Sequence, residues 1–129
     1  MQKDDPIYIV AGDEMQKLFQ TRFPEIQTIP FREDLSKGDP CGFLLDEAFC
    51  AERASFWGVS KAEYCSKMSP IIGLDLARNY VLVFGEDACC TANLNFLIGY
   101  LKGRGYAKEI RVRIVNEYDL TILREYVAD

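Results

Sequence analysis

Asp13, Asp34 and Asp87 lie far apart in the chain, each beside a turn. Brought together, three carboxylates could hold Mg²⁺ through oxygen ligands, or raise one another's pKa so that one serves as general acid or base. Asp13 and Asp34 are the catalytic candidates on this reading, and Mg²⁺ is the cofactor suggested. The same residue type also starts helices, where Asp13 and Asp87 would only accept hydrogen bonds from first-turn amides. A second group lies in the loop Arg32–Pro40, where Arg32, Asp34, Ser36, Lys37 and Gly38 fall close together. Amides around a glycine, a hydroxyl and cations suit a phosphate or carboxylate, and Arg53 could join them. The alternative is a solvated turn in which Asp34 and Ser36 bond their own backbone and Arg53 pairs with a neighbouring Glu.

The chain has no histidine, so Ser-His-Asp, Cys-His and His-based metal chemistry is excluded within one chain. The five cysteines, Cys41, Cys50, Cys65, Cys89 and Cys90, lack CxxC spacing, and free thiols are expected in a reducing compartment. Neither a zinc site, a haem site nor a dinucleotide fingerprint is indicated. Cys89 and Cys90 fall in the first turn of an expected helix, where the macrodipole favours a thiolate, although Glu86 and Asp87 oppose it and a packing role would also account for them.

These residues need elements to position them. Ile7-Tyr8-Ile9-Val10-Ala11-Gly12-Asp13 and Tyr80-Val81-Leu82-Val83-Phe84-Gly85-Glu86-Asp87 repeat one design: an apolar run, then glycine and acid, then a helical pattern. Continuous apolar runs mark strands buried on both faces, and the glycine lets the chain turn into a helix. Each stretch therefore predicts a strand-to-helix junction of a parallel sheet, with ligands at the carboxyl ends of the strands. Met15, Leu18, Phe19 and Phe23 predict a helix over Glu14–Phe23, ended by Pro24. Ile26–Phe31 reads as a short strand. Two helical segments follow. The first uses Leu45, Ala48, Phe49, Phe56 and Trp57, and the second opens at Ser60 with Glu63 in a capping box and Val59 and Tyr64 as a staple. Trp57 could stack on Arg53 or a ligand, or simply belong to the core.

Asp87 is the expected N-cap of a long helix with Leu94, Leu97, Ile98 and Leu101 buried, closed by Gly103 and Gly105. Ile110–Val115 alternates with Arg111 and Arg113, which predicts a strand at a sheet edge, and the spacing of Leu120, Leu123 and Val127 predicts a helical tail over Asp119–Val127. The whole predicts a single α/β domain over residues 1–129: a three-layer Rossmann-like sandwich with a mostly parallel sheet of about four strands and helices on both faces. Gly12-Asp13, Arg32–Pro40, Gly85-Glu86-Asp87 and Asn116-Glu117 would share its carboxyl edge.

The junction Ile7–Asp13, the loop Phe31–Gly38, the segment Arg53-Ala54-Ser55-Phe56-Trp57 and the strand-plus-acid Leu82–Asp87 occur in an order that resembles the bacterial domain of unknown function 1835 family, over roughly residues 7–117. The family loop typically reads Asp-Asp-Leu-Ser-x-Gly-Pro. Here Glu33 stands for the first Asp and Asp39 separates Gly38 from Pro40. Cys89-Cys90 occupies a place where the family tends to have small or polar residues. The resemblance implies an α/β fold of bacterial origin and no established activity.

A net charge of −5 and a pI near 4.8 argue against a nucleic-acid partner. The sequence lacks both a bilayer-spanning apolar run and a signal-peptide core, so no membrane partner and a cytoplasmic location are expected. Two functions fit. One is binding of, or action on, a small anionic ligand by Gly12, Asp13, Arg32, Asp34, Ser36, Lys37, Gly38, Arg53, Glu86 and Asp87. The other is a noncatalytic interaction module that binds a protein partner or its own copy as a homodimer.

Overall fold

A computed structural model describes residues 5–40, 42 and 44–128. In chain order the elements are β1 (Ile7–Val10), α1 (Asp13–Arg22), β2 (Thr28–Pro30), α2 (Glu47–Trp57), α3 (Lys61–Ile72), β3 (Tyr80–Phe84), α4 (Ala88–Gly103), β4 (Ile110–Val115) and β5 (Ile122–Ala128). The apolar runs of β1 and β3 become buried strands because helices cover what alternates along them. Ile7, Ile9, Tyr80, Leu82 and Phe84 enter a large cluster with residues of α2, α3 and α4, such as Phe49, Met68 and Leu97. Tyr8, Val10, Val81 and Val83 enter a smaller one with Met15 and Phe19 of α1.

The sheet runs β2-β1-β3-β4-β5, with the first three pairings parallel and β4-β5 antiparallel. It has five strands rather than about four, because the tail is not a helix. Leu120, Leu123 and Val127 fit helical spacing, but Ile122–Ala128 pairs along β4. Residues 121–127 are all exposed, so this strand is held by ladder hydrogen bonds rather than by burial. β4 consequently lies inside the sheet, and its wetter face reflects Arg113 pairing with Glu125 of β5 at 2.9 Å.

Helix starts follow their caps. Asp46 Oδ1 accepts from the Phe49 amide, Ser60 Oγ from Glu63 and Asp87 Oδ1 from Cys90, at 2.9, 3.0 and 2.7 Å. The α1 start differs. Its N-cap is Gly12 at φ 94°, in the conformation that favours glycine, and no side chain caps it. Asp13 is the first residue of that helix and not its cap.

Candidate functional site

Since β1 to β4 run in parallel, the Gly12 turn, the start of the Arg32–Pro40 loop, Gly85-Glu86-Asp87 and Asn116-Glu117 all leave the sheet at one edge. The chain departs from β1 to β2 on one side and returns to β3 on the other. Ligand crevices of open parallel sheets form at strand-order reversals of this kind.

The loop at that edge is fixed by buried polar groups. Phe31 extends the ladder by donating its amide to Val10 O at 2.9 Å. Glu33, next but one, is buried and accepts five hydrogen bonds: from Arg53 Nε and Nη2, each at 2.9 Å, Trp57 Nε1 at 2.9 Å, Tyr64 Oη at 2.6 Å and the Asp34 amide at 2.8 Å. Burial alone would raise its pKa. The Arg53 and Tyr64 hydrogen bonds outweigh that and hold it below its ordinary value.

Arg53 is only 1 % exposed and donates further to Lys37 O at 2.8 Å and Asp34 O at 3.0 Å. A Cβ added at Gly38 would lie 2.7 Å from its Nη1, so the left-handed glycine both turns the loop and clears the guanidinium. From the other side, buried Asn93 of α4 donates to Glu33 O at 2.6 Å and accepts from the Leu35 amide at 2.9 Å.

Arg53 is thus withdrawn from any ligand. The sequence expectation of a ligand-facing cation is corrected: all its nitrogens are spent on Glu33 and two loop carbonyls, the ion-pair alternative in stronger form. Trp57 lies 5.5 Å from the Arg53 guanidinium and remains partly exposed, as does Phe56 at 4.9 Å.

The other candidates keep to the surface. Arg32 Nε bonds Asp13 Oδ1 at 2.9 Å in an exposed pair. Asp34 accepts from the Ser36 amide and hydroxyl, as the solvated-turn reading expects. Slight burial works against these bonds, yet its pKa is lowered by Ser36 and by Cys89. It stays a carboxylate and has no proton to give near neutrality. Lys37 and Glu86 are exposed.

The acids that do meet are Asp87 and Glu117. With the buried Cys90 they form the one group, among the described residues, whose ligand atoms all lie within 4.8 Å of one another; Asp13 and Asp34 are not in it. Glu117 folds over Gly85, where an added Cβ would touch it at 2.6 Å. Its hydrogen bond with Asp87 raises the Glu117 pKa and lowers that of Asp87, so Glu117 is the member of the pair that takes a proton first as pH falls.

The two thiols are not activated. Burial first, then Asp34 for Cys89, raises that pKa to about 12. Burial, with Asp87 and Glu117, pushes Cys90 up to about 12 despite the helix start.

Sequence reasoning missed Glu33, Asn93 and Glu117 as organising groups. An Arg and a Trp four residues apart on one helix signalled a buried acceptor, while nothing local marked Asn93.

Beside the edge, a groove of about 590 Å³ runs between α1 and the β4-β5 turn, lined by Ala11, Met15, Leu18, Lys17, Glu117 and Tyr118 among others. Fold and edge define an α/β domain built on a mostly parallel sheet, with a fixed loop at its carboxyl side. The chain matches no protein-family model, no curated protein and no solved structure. Among the described residues, no helix is long and apolar enough to cross a membrane.

Proposed function

We propose that this domain binds a small anionic ligand, bearing phosphate or carboxylate, at the carboxyl edge of the sheet. The observation that carries the reading is the loop. Buried Glu33, Arg53 and Asn93 fix residues 33–37 from two helices, a large commitment of desolvated polar groups for a surface turn. The fixed loop holds Ser36 and Lys37 outward, and Arg32 precedes it with, among the described residues, only Nε engaged, by Asp13. Next to Arg32 stands the α1 start, whose first amides meet no side-chain cap. The reading takes the fold as a Rossmann-like three-layer sandwich with its ligand at the switch between β1 and β3.

In this scheme Arg32, Lys37 and the amides after Gly12 neutralise the ligand, and Ser36 and Asp34 bond its hydroxyls. Mg²⁺, where the ligand brings it, takes oxygen from Asp87 and Glu117; the Cys90 thiol is too soft a donor to matter.

The test is thermal unfolding with nucleotides, sugar phosphates and dicarboxylates, each with and without Mg²⁺. A ligand at ~100 times its Kd adds about 2.7 kcal/mol, a rise of roughly 10 °C for a chain of this size. The rise should vanish in Arg32→Ala while the unliganded melting temperature holds, because the Arg32–Asp13 pair is exposed. No rise with any compound, or an undiminished rise in Arg32→Ala, refutes the assignment.

A further inference from the structure

The sheet ends differently on its two sides. β2 is three residues long and closes on Pro30, a short edge with little to offer another strand. β5 is seven residues long, carries no Lys or Pro, and has β4 on one side with no strand on the other among the described residues. Leu123 is its one irregularity, the extra residue between the pairings Ile114↔Arg124 and Val115↔Ile122. Ile122, Leu123 and Val127 are half exposed, and Tyr126 nearly so. A long edge of this kind, more apolar than charged and covered by no strand among the described residues, is open to pairing with another strand.

We propose that the partner is a second copy of this chain, docked β5 to β5 in antiparallel register on a two-fold axis through Glu125. The charges select both occupant and register. Directly opposed residues in an antiparallel ladder face the same side, so a two-fold axis must pass through a residue opposite its own copy rather than between two residues. An axis at Arg124 sets two guanidinium groups together and Leu123 against Glu125. An axis at Tyr126 sets Glu125 against Val127 and Leu123 against the acid at position 129.

The axis at Glu125 opposes Arg124 with Tyr126 and, at the bulge, brings Leu123 against Val127, while Ile122, beyond the bulge, turns to the side of Val115 and takes no part in the match. The first is a contact that Arg124 already makes with Tyr126 of its own strand, 5.3 Å from guanidinium to ring centroid. The two Glu125 carboxylates that meet are each already bound by Arg113 at 2.9 Å. Leu123 and Val127 are then apolar mates, and the like charges at the axis arrive neutralised. The result is one sheet continuous through both copies.

Sedimentation of the full chain over a roughly hundredfold dilution should show a monomer–dimer equilibrium. Val127→Lys should give a monomer at all those concentrations with the helical circular dichroism unchanged. Glu125→Cys locates the axis: self-opposed Cβ atoms ~5 Å apart can close a disulfide. Under mild oxidation this variant should form a covalent dimer that neither the parent chain nor Arg124→Cys forms. A chain monomeric throughout, a dimer that survives Val127→Lys, or Glu125→Cys crosslinking no better than Arg124→Cys overturns the proposal. Should Val127→Lys fail to fold, the crosslink decides by itself.

Discussion

At the scale of single residues, the determining fact is that one carboxylate organises the loop. Glu33 takes the Nε–Nη2 edge of the Arg53 guanidinium, an indole N–H and a phenol O–H in a buried space. Removing one member strands the rest, and a buried charge left alone costs far more than the intact pair contributes. Glu33→Ala is therefore expected to lose about 3–5 kcal/mol, read from urea denaturation, whereas the double variant Glu33→Leu with Arg53→Met should lose less than that single change. Arg53→Lys should resemble the single loss, since an ammonium cannot bridge both Glu33 oxygens and two carbonyls at once. The cysteines give a second prediction at this scale. With thiol pKa values of about 12, Cys89 and Cys90 should resist iodoacetamide near neutral pH in the folded chain and react after unfolding in urea. Mass mapping of modified peptides checks this, and rapid labelling of either thiol in the native protein would refute it.

Among the elements, Asp87 tests how capping and the acid pair share one side chain. Asp87→Ala loses the Cys90 amide acceptor at the start of α4 and should cost about 1 kcal/mol. Asp87→Asn keeps an acceptor and removes a like charge from Glu117, so it should melt close to the parent; equal losses in both variants would show that the cap is not what matters. The same residue shows what was legible in the sequence. Glycine and acid after an apolar run are local signals, and they marked the ends of β1 and β3, the cap of α4 and the loop between β2 and α2. Ser60 with Glu63 likewise announced α3. What stayed hidden depends on partners distant in sequence: Asn93 reaches residues 33 and 35 from α4, and Glu117 meets Asp87 only because β3 and β4 are neighbours. The tail was misread for the same reason. Leu120, Leu123 and Val127 satisfy a helical period, yet β4 offered an open edge, and pairing with it overrode local spacing.

For the molecule as a whole, pH dependence follows from the signs of these shifts. Glu33 sits below its ordinary value of 4.5 in the fold, so its contribution is complete above that value and lost as pH falls through its folded pKa. Asp34 and Asp87 share that sign but stand near solvent, where screening leaves them small effects. Glu117 has the opposite sign: its raised pKa favours the folded state at low pH, and that contribution disappears as pH rises through the folded value. Stability should therefore drift slightly upward as pH falls from neutrality and Glu117 takes its proton, and then fall below about pH 4.5, where the unfolded chain takes up a proton at Glu33 that the fold resists beside Arg53. Urea midpoints of three chains separate the two terms. Glu117→Gln should abolish the upward drift and keep the acid fall. Glu33→Gln should be weaker at neutrality, with its deficit from the parent shrinking as pH drops below about 4.5, since the charged Glu33 of the parent then loses its advantage to proton uptake by the unfolded chain. A deficit that stays constant down to about pH 3 would mean that Glu33 stabilises the loop by shape and hydrogen bonding alone, without its charge.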